Sequence, residues 1–161
     1  MNTKINSFNG GYSYLSNFYD APVLIDGIRY LNSEAAYQAG KVEPDKRSMF
    51  SNLSAYQAKK LGKSVEICKG WDDKRADHMR RVVHEKFMQN PTLARALICT
   101  GDTELEEGNS WHDNFFGNCY CPKCLSIPGQ NVLGKILMDE RQVLKEIVDG
   151  YIAKERSKSN G

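Results

Sequence analysis

Short apolar runs broken by turn residues open the chain, and longer amphipathic stretches follow. Val23-Leu24-Ile25 and Ile28-Arg29-Tyr30-Leu31 flank Asp26-Gly27. Asp-Gly tolerates the positive φ of a tight turn, so this stretch predicts a β-hairpin. Asn32 or Ser33 then caps a helix running to about Lys41. On that helix Glu34, Gln38 and Lys41 fall at i, i+4 and i+7 and share one face. Pro44 and Ser54 mark the starts of two short helices, the second ending at Gly62. A long middle helix is expected from near Asp73, because Ala76, Met79, Val83 and Phe87 recur at helical spacing. Asn90-Pro91 caps the next helix, through Leu93, Leu97 and Ile98, and Thr103–Glu106 reads as a short strand. The last helix spans Asn131 to about Tyr151, with Leu133, Leu137, Leu144, Ile147 and Tyr151 as its apolar stripe. The pattern predicts an α+β protein, helix-rich, with a small hairpin or sheet.

Arg141 sits on that apolar stripe. A buried guanidinium needs partners or costs several kcal/mol. No repeat or internal linker interrupts the chain, so residues 1–153 are expected to form one domain and the polar residues 154–161 a disordered tail. A length of 161 residues can bury a sizeable core. The apolar and charged fractions, 40% and 26%, are those of a soluble globular protein. A net charge of +2 neither requires nor excludes nucleic acid. No apolar run reaches membrane-spanning length, and Met1–Asn6 carries no leader-type apolar core. The expectation is a cytoplasmic protein with reduced cysteines and no membrane partner.

Chemistry concentrates in three polar signatures far apart in sequence. The densest is Glu107-Gly108-Asn109-Ser110-Trp111-His112-Asp113-Asn114-Phe115-Phe116-Gly117. It places carboxylates, amides and aromatic rings in a glycine-bounded loop, which suits a flat, polar, nucleotide-like group held beside an acid. The second is Asn32–Lys41 with Glu34; the third, Gly129-Gln130-Asn131-Val132-Leu133-Gly134, opens the last helix. A fourth feature stands apart. Cys119, Cys121 and Cys124 put three thiols within six residues, which suits a tetrahedral structural zinc with one ligand still to find. His112 is the nearest fourth ligand, while Cys68, Cys99 and His84 would have to be brought by the fold; the alternative is a reduced, metal-free loop. Cys68 and Cys99 otherwise read as small core residues.

Six motifs occur in order: Leu15–Tyr19, Tyr30–Lys41, Gly70-Trp71, Lys86-Phe87, Leu105–Gly117 and Gly129–Arg141. Together they resemble the NADAR (YbiA-like) family from about Phe8 to Leu144. The resemblance implies an N-glycosidase that cleaves a ribose–nitrogen bond. Some members act on phosphorylated ribosylamino-pyrimidine intermediates of riboflavin synthesis. Others remove ADP-ribose from guanine in nucleic acid, reversing a DarT-type toxin. The family pattern Asp-x-x-Trp-Gly is here Asp113-Asn114-Phe115-Phe116-Gly117, so Phe116 keeps a stacking face but lacks the indole N–H.

By this resemblance Glu34 lies nearest the ribose, where a carboxylate stabilises oxocarbenium charge, and Asp113 positions water or a ribose hydroxyl. The plain alternatives are a first-turn acid for Glu34 and an Asx-turn residue for Asp113. Asn17, Phe18, Asn109, Trp111, Phe116 and Gly117 are expected to contact substrate. Trp71 is either a platform or a packing anchor. Asn131 opens a helix whose free N–H groups suit phosphate, or is a plain cap. Lys41 and Arg141 are the phosphate-side cations, with Arg141 alternatively a structural hub for Glu34 or Asp113. Lys59-Lys60 and Arg80-Arg81 read as solvated helix faces. No cofactor is expected for the chemistry. The expected partner is an ADP-ribose moiety on DNA, favoured over the metabolite because the chain is a single domain. A non-catalytic ADP-ribose binding module is the reading of another class.

Overall fold

The computed structural model describes residues 3–161; Met1 and Asn2, which open the expected domain, lie outside the described residues. The architecture is α+β and helix-rich, and among the described residues the strands pair in twos. Strand β1 (Lys4–Ile5) leads to a 3-10 segment at Gly10–Leu15. The hairpin follows as β2 (Val23–Ile25) and β3 (Ile28–Tyr30), antiparallel with Val23 opposite Tyr30 and Ile25 opposite Ile28. Asp26 at φ 51° and Gly27 at φ 79° make the tight turn. The Asp26 carboxylate also accepts both Arg81 guanidinium nitrogens, at 2.7 and 3.0 Å, pinning the turn to a distant helix.

Helix α1 (Ser33–Ala39) starts where the Asn32 side chain accepts the Ala35 amide at 2.8 Å. The segment opened by Pro44 is a 3-10 helix, Pro44–Phe50, rather than an α-helix. Helix α2 (Ala55–Gly62) begins with a reciprocal capping box between Ser54 and Gln57. Helix α3 (Trp71–Gln89) starts two residues earlier than the apolar spacing predicts, directly after Gly70. Helix α4 (Pro91–Cys99) follows; Asn90 donates instead to the Lys86 carbonyl at 2.7 Å and does not cap α4 with its side chain. Strand β4 (Glu104–Leu105) pairs in parallel with β1, and β5 (Gly108–Asn109) pairs in parallel with β6 (Asn118–Cys119).

Helix α5 (Val132–Ser159) is longer than expected and continues through the tail predicted to be disordered. Lys, Glu, Arg and Ala favour helix there, and Lys158 pairs with Glu155 at 3.0 Å. The predicted apolar stripe is only half used. Leu133, Leu137 and Leu144 are buried, but Ile147 and Tyr151 are exposed because no described element packs beyond Lys145. No helix among the described residues is long and apolar enough to cross a membrane.

Two buried clusters share α3. One joins Leu15, Met79, Val83, Phe87, Leu97, Leu105, Ile136 and Leu137; the other joins the hairpin to Ala35, Ala36, Ala39, Phe50 and Val82. Cys99 is exposed and Cys68 half-buried, so neither is the core residue that was expected.

Candidate active site

A cleft of about 500 Å³ opens between the polar face of α1, the loop at 16–18 and the loop at 107–116. Asn17, Phe18, Glu34, Trp111, Asp113 and Phe116 line it, together with Ser16, Tyr37, Gln38, Lys59, Met79, Glu107 and Leu133. Three segments far apart in sequence therefore meet at one place.

The Glu34 carboxylate is buried, 8% exposed, and accepts the Gln38 amide at 2.7 Å. That bond is the i, i+4 relationship of α1 put to use. Burial pushes the Glu34 carboxyl up; the Gln38 amide, then Lys59 and Lys41, pull it back, while Asp113 adds to the rise. Glu107 is raised as well. Burial, then the charges of Asp113 and Glu34, raise it to about 7, against the pull of Lys86 and Lys59. Asp113 acts on both carboxyls and Glu34 acts on Glu107, so the three acids share one site. Asp113 itself closes an Asx turn, its Oδ1 accepting the Phe115 amide at 3.0 Å and the Phe116 amide at 2.9 Å. The turn aims the residue and does not compete with a position at the cleft wall.

Polar atoms in this wall lack partners among the described residues. Asn17 Oδ1 and Glu107 Oε2 are both buried and unpaired. Such atoms are rare in folded proteins and mark a place where a ligand or water completes the bonding. Aromatic rings form the remainder. Phe116 meets Tyr37 edge-on at 5.3 Å, and Tyr37 rests on Trp71 at 5.4 Å. At the mouth Phe18 and Trp111 are exposed, and Lys59 Nζ stands 5.6 and 5.4 Å from their ring centres.

Six of the sequence-predicted residues serve the cleft from behind or stand away from it. Trp71 is buried and acts as the anchor under Tyr37. Asn109 braces the loop: its side chain donates to the Asp113 carbonyl at 2.8 Å and accepts the amides of Trp111 and Asp113. Gly117 is where the loop crosses the Glu107 backbone, since a Cβ there would stand 2.2 Å from the Glu107 carbonyl. Asn131 adopts φ 50° and makes no side-chain cap. Its amide instead bridges the Glu107 N–H at 3.0 Å and the Leu105 carbonyl at 2.9 Å. Lys41 Nζ donates to the Gly62 carbonyl at 3.3 Å. Arg141 donates to Thr100 Oγ1 at 2.9 Å and the Thr103 carbonyl at 2.8 Å, so its partners are neither Glu34 nor Asp113.

Four contributors are not evident from the sequence. Glu107 lies in the loop at 107–117 with no local signal of a role. Tyr37 sits within the Tyr30–Lys41 motif. Lys59 reads in the sequence as part of a solvated face. Lys86 is fully buried and donates to the carbonyls of Tyr14 at 2.6 Å and Ser16 at 3.0 Å, shaping the 16–18 loop from beneath. Its only sequence signal was the Lys86-Phe87 pair. Burial lowers this lysine to about 7, with Glu107 opposing.

Beside the cleft, His112, Cys119, Cys121 and Cys124 form a group that could hold a metal ion, each offering a ligand atom within 4.8 Å of the others. Cys68, Cys99 and His84 are not part of it.

Fold and cleft together define a family. The profile of the NADAR domain matches residues 6–145, and the chain belongs to that family. It is 36% identical over 139 residues to a riboflavin biosynthesis protein of Vibrio vulnificus, covering 84% of this chain but 36% of that protein. It is 30% identical over 142 residues to the N-glycosidase YbiA of Escherichia coli, covering 86% and 85% of the two chains. An N-glycosidase of Nostoc punctiforme is 30% identical over 144 residues, covering 85% and 88%. The solution structure of E. coli YbiA superposes with a TM-score of 0.75 at 29% identity, covering 89% of this chain and 86% of that one.

Proposed function

We propose that the chain is an N-glycosidase that hydrolyses a ribose–nitrogen bond, and that its substrate is ADP-ribosylated guanine in DNA. The observation carrying this reading is the meeting of Glu34, Glu107 and Asp113 in one aromatic-walled cleft. Relatives named N-glycosidases cover most of their length with this chain and support the reaction class.

The reaction needs positive charge stabilised at the anomeric carbon and a proton delivered to the departing nitrogen. Glu34 faces the ribose and stabilises the oxocarbenium charge. Asp113 orients the water and takes its proton as the water oxygen bonds to the anomeric carbon. The C–N bond electrons leave with the nitrogen, which takes a proton from Glu107. A carboxyl raised to about 7 holds a proton on a large fraction of molecules at neutral pH. Asn17, with its unpaired oxygen, accepts a ribose hydroxyl. No cofactor enters this scheme.

Phe18 and Trp111, with Lys59 beside both, support a nucleic-acid substrate. Exposed rings stack on bases and a cation meets phosphate. A second reading, hydrolysis of a phosphorylated ribosylamino-pyrimidine, is favoured by the name of the Vibrio relative. The test is incubation with an ADP-ribosylated oligonucleotide and, separately, with the ribosylamino-pyrimidine phosphate. Release of ADP-ribose from the first at a greater kcat/KM supports the proposal. Release from the second alone reassigns the substrate. Tight ADP-ribose binding with no release from either makes the chain a binding module.

A further inference from the structure

We propose that His112, Cys119, Cys121 and Cys124 form a closed structural zinc site that clips the substrate-facing loop and fixes Trp111 and Asp113 on either side of His112. Occupancy of the site is independent of the reading above; the consequence for ligand binding rests on it.

The donor geometry is that of a tetrahedral metal. His112 Nδ1 stands 3.3 Å from the sulfurs of both Cys121 and Cys124, and all four donor atoms lie within 4.8 Å of one another. A zinc ion with Zn–N of about 2.0 Å and Zn–S of about 2.3 Å separates its ligand atoms by roughly 3.5–3.8 Å. Small movements would bring these atoms onto a common ion. All five cysteines are free, so the three thiols are gathered without a disulfide. Three thiolates and an imidazole suit zinc, and four protein ligands leave no open position for water.

Two segments supply the ligands. The cysteines come from β6 and the turn after it, where the Cys124 amide donates to the Cys121 carbonyl at 3.0 Å. His112 comes from the loop between β5 and β6. The Cys119 amide is already tied to Asn114 Oδ1 at 2.9 Å, so the two segments are in register before any metal joins them.

His112 has φ 69°, a left-handed conformation that is unfavourable for a non-glycine residue. Bonds that over-determine its position offset that cost, and a metal–imidazole bond is one. Trp111 and Asp113 both line the cleft. Their shared neighbour cannot move without moving them, so a metal on His112 sets the distance between an aromatic face and a carboxylate.

Protein purified without chelator and kept reduced should contain close to one zinc per chain by elemental analysis. Cobalt(II) replacement should give the thiolate charge-transfer and tetrahedral d–d absorption of a mixed sulfur–nitrogen site. Cys121→Ser and His112→Ala should lose that spectrum or shift it. The loop readout is tryptophan emission, since Trp71 is buried and Trp111 is 57% exposed. Removing zinc from the wild-type protein should change the Trp111 emission, lower the melting temperature and weaken ADP-ribose binding roughly tenfold or more. A zinc content below about a tenth of an equivalent, with no uptake of zinc or cobalt by the reduced protein, would overturn the site. Bound zinc whose removal leaves Trp111 emission and melting unchanged would overturn the clip. Protein that binds no ADP-ribose in either state, yet shows the emission and melting changes, would sink the substrate reading and leave the clip standing.

Discussion

The Glu34 amide donates to the Asn17 carbonyl at 3.0 Å, so the carboxylate at the start of α1 and the amide of the 16–18 loop are held together through backbone. Lys86 fixes the same loop from beneath through the Tyr14 and Ser16 carbonyls. The Gln38 amide then holds the Glu34 carboxylate at 2.7 Å. Glu34→Gln should fold normally, because a neutral amide of the same shape removes a charge whose burial is unfavourable. Turnover should fall by about a hundredfold or more, as for other lost electrostatic groups in a transition state. Single-turnover kinetics with an equal or higher melting temperature is the expected pair of results; wild-type rates would remove Glu34 from the mechanism.

Glu107 makes the activity and the stability pH-dependent. Its carboxyl is raised to about 7 in the folded state, from an ordinary 4.5. The folded protein then holds more protons than the unfolded chain between those values. Its contribution to stability is full below about pH 4.5 and is lost as pH rises through about 7. Glu34, Asp113, Lys59 and Lys86 all act on this group. With Glu107 as the proton donor, kcat should fall about tenfold per unit above pH 7. Glu107→Gln should abolish that limb and flatten the melting temperature between pH 5 and 7. A wild-type profile level from pH 6 to 9 would show that Glu107 does not supply the proton.

What could be read from the sequence was local. Asp26-Gly27, the Asn32 cap and the Ser54–Gln57 capping box each act within four residues, and the hairpin, α1 and α2 follow them. Six site candidates reach one cleft because their motifs were recognisable as a set. Side-chain direction was not readable where a distant segment decides it. Lys59 looks like any charged helix residue until Phe18 and Trp111 arrive beside it. Asn131 stands at a helix start, yet its amide turns inward because the Glu107 N–H and Leu105 carbonyl need partners there. The stripe on α5 failed past Leu144 for the converse reason. Periodicity defines a face but not what covers it, and Ile147 is 47% exposed.

Arg141 should behave as a structural residue. Its guanidinium is nearly buried, 7% exposed, and joins α5 to Thr100 and Thr103 at the end of α4. Arg141→Ala strands both acceptors and should cost about 3 kcal/mol. For a chain of this size that lowers the melting temperature by roughly 6–12 °C. ADP-ribose affinity, measured below the transition by calorimetry, should be unchanged. A tenfold loss of affinity at constant melting temperature would restore Arg141 to the phosphate side of the site.

Trp111 separates the two substrate readings. Its ring is 57% exposed at the cleft mouth, with Lys59 Nζ 5.4 Å from its centre. A base outside the cleft can stack on it, and stacking on one aromatic ring is worth about 1–3 kcal/mol. Trp111→Ala should therefore raise KM for an ADP-ribosylated oligonucleotide by roughly five- to a hundredfold. Free ADP-ribose, which carries no flanking bases, should lose much less affinity. Lys59→Ala should weaken oligonucleotide binding too, and its effect should shrink as salt rises, because the lost term is a phosphate contact. Equal losses for oligonucleotide and free ADP-ribose in both variants would place these residues over the ADP-ribose itself. No loss in either variant would remove the cleft mouth from nucleic-acid recognition.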